Sequence, residues 1–248
     1  MSSPAGSSAK HRKLNFSDNV VVLAGAQKKS YTVHKDALVK HSKFFRAALW
    51  NGLKETRRYV AGAEDETKEN ADSGQVVRLP GIEPEMLEAY LQWSYSGQIV
   101  LTETAEDEKS NRGIDFQLDL ARFYVVADVL DDALLRNSIL DTMMASMKQA
   151  KRGPGPGIIR EAYEHTSAAS KLRQFVLEWH AFRIGAGARM GYVTWLERNI
   201  DHLPRNFVHE VLLRVARGRE QRGPEVCPDA AERCRYHEHN DEVPACTV

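Results

Sequence analysis

Residues 31–49, YTVHKDALVKHSKFFRAAL, change period partway along, and that change decides the fold. Tyr31 and Val33 alternate with polar neighbours, the pattern of a strand with one buried face. From Asp36 onward Leu38, His41, Phe44, Phe45, Ala48 and Leu49 fall near one helical face, with Lys35, Lys40, Lys43 and Arg46 on the other. Phe44 and Phe45 side by side on so short a helix need a core to receive them. The stretch therefore predicts a strand running straight into an amphipathic helix that packs on a larger body.

Working outward, the β-branched run Val20 to Leu23 ends at Gly25 and predicts a first strand. It forms a hairpin with Lys29 to Val33. Downstream, Asn51-Gly52 stops the helix, and residues 61–75, AGAEDETKENADSGQ, are polar and aperiodic. They read as a flexible insertion of about 15 residues, long for a connection inside a compact domain. Val76 to Leu79 predicts a third strand. Pro84 suits the first turn of a helix carrying Met86, Leu87, Tyr90, Leu91 and Tyr95, which Gly97 ends. Ile99 to Leu101 reads as a short edge strand, followed by a charged loop over 102–113. A helix over 115–130 and a second from Asp131 make a helical hairpin. Gly153-Pro154-Gly155-Pro156-Gly157 is the plainest boundary, because proline cannot continue a helix. Beyond it, helical periodicity recurs over 158–163, 170–182, 192–200 and 204–216.

These readings divide the chain into a disordered tail at 1–13, an α+β domain at 14–150 and a linker at 151–157. An all-α extension at 158–216 and a polar tail at 217–248 follow. A hydrophobic content of 42% supports a real core. A formal net charge of zero gives no global attraction to nucleic acid or an anionic membrane. No apolar run approaches the roughly 18 residues that span a bilayer. The N-terminus lacks the apolar region of a secretory signal, so the Asn15-Phe16-Ser17 sequon carries little meaning. The three cysteines all lie in the tail, so no disulfide framework holds the body. The expected setting is the cytosol or the nucleus.

Several motifs now stand in order. His34, Leu38, Ser42, Phe45 and Ala48 are spaced as His-x-x-x-Leu, then Ser-x-x-Phe and a small residue. Phe16-Ser17-Asp18 precedes Val20-x-Val22, and Val77-x-Leu79-Pro80 follows the insertion. Tyr90-Leu91-x-Trp93-x-Tyr95-Ser96-Gly97 ends one helix, and Tyr124-x-x-Ala127-Asp128-x-Leu130 ends another. In this order, from about Phe16 to Met147, they resemble the BTB/POZ domain. The resemblance implies a BTB/POZ fold, a small mixed β-sheet flanked by α-helices. The second half is similar to the helical extension of many fungal BTB proteins, through Tyr163 to Thr166, Ser170-x-Leu172-Arg173 and Cys234 to His239. Many BTB domains carry an N-terminal helix that builds a dimer interface. Only Leu14 and Phe16 are apolar between Lys10 and Val20, so that helix is expected to be missing or very short.

The resemblance implies a non-catalytic protein-interaction module that oligomerises with itself or with other proteins. In BTB adaptors of cullin-3 ubiquitin ligases a hydrophobic-x-Glu triplet contacts the cullin. Leu53-Lys54-Glu55 matches it, with Leu53 for an apolar notch and Glu55 for the rim. The bland reading leaves Leu53 on the core and Glu55 in water. Asp18, His34, Leu38, Ser42, Phe45, Tyr95, Gly97, Ala127 and Asp128 read as marks of the fold rather than as a site, since a lone histidine without a catalytic partner is commonly structural.

Cys227, Cys234, His237, His239 and Cys246 offer thiolate and imidazole ligands of the kind zinc takes. Their spacing fits no familiar finger, and the proline-rich surroundings read as a flexible tail, so the sequence assigns no metal and no cofactor. The alternative function is a nuclear transcription regulator using that tail for metal or DNA contact. Arg217-Gly218-Arg219, followed by Glu220, reads as a solvated helix end rather than a minor-groove hook. Gly185, Gly187 and Gly191 miss the dinucleotide fingerprint. No Gly-x-Ser-x-Gly, Walker loop or His-Glu-x-x-His occurs, so no enzyme is expected.

Overall fold

The computed structural model describes residues 17–50, 75–101, 112–185, 190–220, 227–228, 233–240 and 242–246. The expected tail at 1–13, nearly all of the 61–75 insertion, most of the 102–113 loop, and Leu14 and Phe16 lie outside the described residues.

Strand β1 (Asn19–Ala24) pairs antiparallel with β2 (Lys29–His34) and parallel with β3 (Val76–Leu79), giving the order β2-β1-β3. The alternation of the sequence sets which face is buried. Val20, Val22, Ala24, Val33, Val77 and Leu79 all point into the core, and the register brings Val20 opposite Val33 and Val22 opposite Val77.

β2 passes directly into α1 (Lys35–His41), as the change of period requires. The single helix expected from Asp36 is in fact two, because α2 starts afresh at Lys43 and runs to Trp50. Ser42 between them is extended, with φ −87° and ψ 121°. Its hydroxyl accepts from the Phe45 N–H at 3.0 Å and donates to the Leu130 carbonyl at 2.5 Å. A serine that can cap the following helix and reach another element breaks the helix that apolar spacing alone continues. Leu38, Phe45 and Leu49 nonetheless enter one core, as the spacing predicts.

α3 (Pro84–Ser96) starts on its proline and ends at Gly97, whose φ of 68° is the left-handed conformation glycine takes without a Cβ clash. Ile99 to Leu101 do not form the expected strand. The sheet has three strands among the described residues, and Ile99 and Leu101 pack on the core without a ladder. α4 (Arg112–Val129) and α5 (Ala133–Ala150) form the helical hairpin, joined by a turn in which Asp131 has φ 47°.

Past α5 the chain enters α6 (Pro156–His165), α7 (Lys171–Gly185), α8 (Met190–Asn199) and α9 (Arg205–Glu220), with a short 3-10 turn over Ile200–His202. The α+β expectation holds: a small mixed sheet with helices, then an all-helical extension. One hydrophobic core runs through both halves. It joins Leu120, Tyr124 and Met147 to Ile158, Ile159, Leu172, Phe175, Phe207 and Tyr236.

The Gly/Pro segment is packed tightly. A Cβ added at Gly153 would fall 1.9 Å from the Trp179 ring. Beside it, His180 is almost wholly buried. Its Nε2 lies 3.2 Å from the Pro154 carbonyl, which can only accept, so Nε2 carries the proton. Nδ1 then accepts from the Tyr192 hydroxyl at 2.6 Å, and Trp195 stacks on the ring at 5.2 Å. Burial lowers the His180 pKa to about 3.

Two outcomes are expected. Gly153→Ala costs on the order of 1–3 kcal/mol in a urea titration through overpacking against Trp179. Gly155→Ala, which meets nothing within 4 Å, costs less than about 1 kcal/mol. The second concerns pH. The unfolded chain protonates His180 near 6.5 and the folded chain only near 3, so the unfolded state gains protons first as pH falls. Stability is full above pH 6.5 and declines toward pH 3, by a few kcal/mol on the order of 1.4 per pH unit. Urea midpoints at pH 7 and pH 4.5 measure this, and the drop shrinks in His180→Gln.

Candidate interaction surface

The residues that mark the fold are distributed between the sheet–helix junction and the α4–α5 turn. Asp18 is exposed, its carbonyl accepting from the Lys35 N–H at 2.9 Å and its carboxylate 3.8 Å from the Lys35 ammonium. The His34 N–H donates to the Tyr95 hydroxyl at 3.1 Å, and that hydroxyl donates to His34 Nδ1 at 2.8 Å. The pair ties the end of β2 to the end of α3. Leu38, Phe45 and Ala127 are fully buried, with Phe45 packed on Tyr90 at 6.1 Å. Asp128 is half-buried, 3.7 Å from Arg136. Burial pushes its carboxyl pKa up, and Arg136 only partly offsets that. Leu53 and Glu55 lie outside the described residues.

Two acidic residues that pattern reading passed over organise polar contacts, one at the α4–α5 turn and one in the helical extension. Asp132 is fully buried. Its carboxylate caps α5 by accepting from the Leu135 N–H at 2.9 Å, and it accepts from Trp93 Nε1 at 3.1 Å and the Tyr90 hydroxyl at 3.5 Å. Glu178 on α7 gathers the Arg214 and Arg235 guanidinium groups and the Tyr236 hydroxyl. The only advance signal for Asp132 is its place just ahead of a periodic helix.

The tail does not run free. Residues 233–240 and 242–246 lie back on the domain, with Arg233–Tyr236 against α5 and α7. Tyr236 inserts fully into the core, its ring against Phe175 at 5.3 Å and its hydroxyl donating to Glu178 at 2.9 Å. Glu238 accepts twice from Arg136, at 2.7 and 2.6 Å, and its main chain is paired with the Asn137 amide. Arg136 also donates to the Ala127 carbonyl and the Asp131 carboxylate. Burial opposes the Arg136 charge, but Glu238 overcomes this and leaves its pKa raised. Further on, Glu242 binds Arg46 at 2.6 Å. Between this strand of tail and the α1–α2 and α4–α5 junctions lies a cleft of about 200 Å³, edged by Lys40, Lys43, Asp131 and Leu134.

Apolar side chains also face outward. Val129 and Leu134, on either side of the α4–α5 turn, are 53% and 39% exposed. Leu212 and Leu213 on α9 are exposed as well. Among the described residues no helix is long and apolar enough to cross a membrane. Leu134 stands exposed beside the charged edge of the cleft formed by Lys40, Lys43 and Asp131.

The model of one family, the BTB/POZ domain, matches residues 9–132, half of the chain. No curated protein matches the chain. With its three-stranded mixed sheet, the His34–Tyr95 tie and the α4–α5 hairpin in place, the chain belongs to the BTB/POZ family, whose fold is a protein–protein interaction module.

Arg136 tests how much the returning tail contributes. Arg136→Ala leaves Glu238 without its partner and is expected to cost about 2–4 kcal/mol by urea unfolding, at the lower side for a buried pair because Glu238 is partly solvated. In a double-mutant cycle with Glu238→Ala the two losses are strongly non-additive. A cost below about 0.5 kcal/mol is the value for a surface residue and would show the contact to be idle.

Proposed function

We propose that the protein is a non-catalytic adaptor that presents a bound partner to a cullin-3 ubiquitin ligase, in the cytosol or the nucleus. The carrying observation is how α2 is held. Its first turn is fastened to the α4–α5 turn by the Lys43 N–H on the Asp131 carbonyl at 3.2 Å, the Phe44 N–H on the Leu130 carbonyl at 3.4 Å, and Ser42. The chain therefore leaves a rigid helix at Trp50, three positions before Leu53. Leu53 supplies the apolar anchor and Glu55 the rim contact, and exposed Val129 and Leu134 flank the turn that holds the first residues of α2. Helices α6 to α9, which resemble a fungal-type extension, are the supporting half. Assembly with a second copy of the chain is compatible with the same role.

DNA contact through the tail is the weaker reading. Arg235 is held by Glu178 at 2.7 Å, and Glu238 and Glu242 lie along the same segment, which gives a phosphate backbone little to bind.

Calorimetric titration of the full chain with the N-terminal domain of cullin-3 decides the matter. Micromolar binding is expected, weakened at least tenfold by Leu53→Ala and by Glu55→Lys, as for a central anchor worth about 1.4 kcal/mol or more. An absence of heat at high micromolar concentration overturns the reading.

A further inference from the structure

The sulfur atoms of Cys234 and Cys246 and a ring nitrogen of His239 lie within 4.8 Å of one another. The sequence does not place them together, since a loop separates His239 from Cys246. Asn240 closes that loop. Its side-chain oxygen accepts from the N–H groups of Glu242 and Val243, both at 2.9 Å, and its main chain pairs with that of Val243 at 3.0 and 3.2 Å. The turn folds the last residues back so that the Cys246 thiol meets the Cys234 thiol.

His237 stands beside the trio in a particular orientation. Its Nε2 is 3.0 Å from Asp141 Oδ1 on α5, and a carboxylate can only accept, so Nε2 carries the proton. Nδ1 is then the bare nitrogen, and it faces Cys246 Sγ at 3.1 Å. A carboxylate that holds one imidazole nitrogen while the other turns to a ligand cluster is the usual outer support of a metal-bound histidine.

We propose that Cys234, His239 and Cys246 bind a zinc ion, with His237 as the fourth ligand oriented by Asp141. Two sulfur and two nitrogen donors with no water position are the ligand set of a closed, structural zinc site. Bond lengths of about 2.0–2.3 Å imply ligand-to-ligand edges of roughly 3.3–3.8 Å, so the Cys234, His239 and Cys246 donors, within 4.8 Å of one another, close by about 1 Å around the ion. Two thiolates balance the charge of the cation, which removes the repulsion between them. Cys227 has no part in it, because it packs instead against the hydrophobic core near Tyr236. The ion fastens the strap that carries Tyr236 into the core and Glu238 onto Arg136, so it acts as a staple between the BTB domain and the helical extension.

The test is elemental analysis of the full chain, purified in reductant and without a histidine tag. About one zinc per chain is expected. Cobalt exchanged into the site shows thiolate-to-metal charge transfer and the intense visible bands of a tetrahedral ion, a readout that needs no variant. Cys234→Ser, Cys246→Ser and His239→Ala lose the stoichiometric metal, Cys227→Ser keeps it, and Asp141→Asn weakens it about 10–100-fold. Zinc near zero in the reduced protein overturns the proposal. So does zinc that survives Cys234→Ser, and so does a Cys234–Cys246 disulfide in the freshly purified chain, read by mass spectrometry.

Discussion

Much of this structure depends on the turn between α4 and α5. Its buried Asp132 carboxylate is tolerable only because it is fully used, by the Leu135 N–H, the Trp93 indole and the Tyr90 hydroxyl. Those bonds tie α3 to α5. The preceding residues of the same turn receive α2, with the Leu130 carbonyl taking both the Ser42 hydroxyl and the Phe44 N–H. One irregular three-residue turn thus sets the placement of three helices, and the sheet joins them through the His34–Tyr95 pair. The buried acceptors are shared among several donors, so loss of one donor weakens a network that holds all three helices.

The second constraint is the continuity between the two halves. A Gly/Pro segment ordinarily marks a swivel. Here the missing Cβ of Gly153 makes room for Trp179, and His180 holds the Pro154 carbonyl, so the segment becomes a packed joint. The tail then crosses back, with Tyr236 in the core and Glu238 on Arg136. An interaction module gains from this rigidity, because a surface fixed before binding loses less entropy when the partner docks.

Apolar periodicity carried most of the fold. The alternation at Val20, Val22, Val33, Val77 and Leu79 and the helical stripes of α3 to α7 state which faces are buried, and burial follows them. Where the reading departed from the structure, polar chemistry or chain length intervened. Ser42 split a helix that looked continuous, since its hydroxyl found an acceptor 88 positions away. Ile99 to Leu101 carry the apolar pattern of a strand, but Ile99 and Leu101 pack on the core with no pairing strand among the described residues. The tail looked solvated from its prolines and charges, yet Tyr236 and Glu238 have buried partners that only folding supplies.

The sequence by itself determined the class of fold, its order of elements and the residues that mark it, because those follow from local spacing. The tertiary structure alone decided what the polar residues do. Asp132, Arg136, Glu178 and His237 find their partners across the chain, up to 102 positions apart for Arg136 and Glu238. A single charged residue carries no period, so its meaning depends on which donor or acceptor the packed core brings to it.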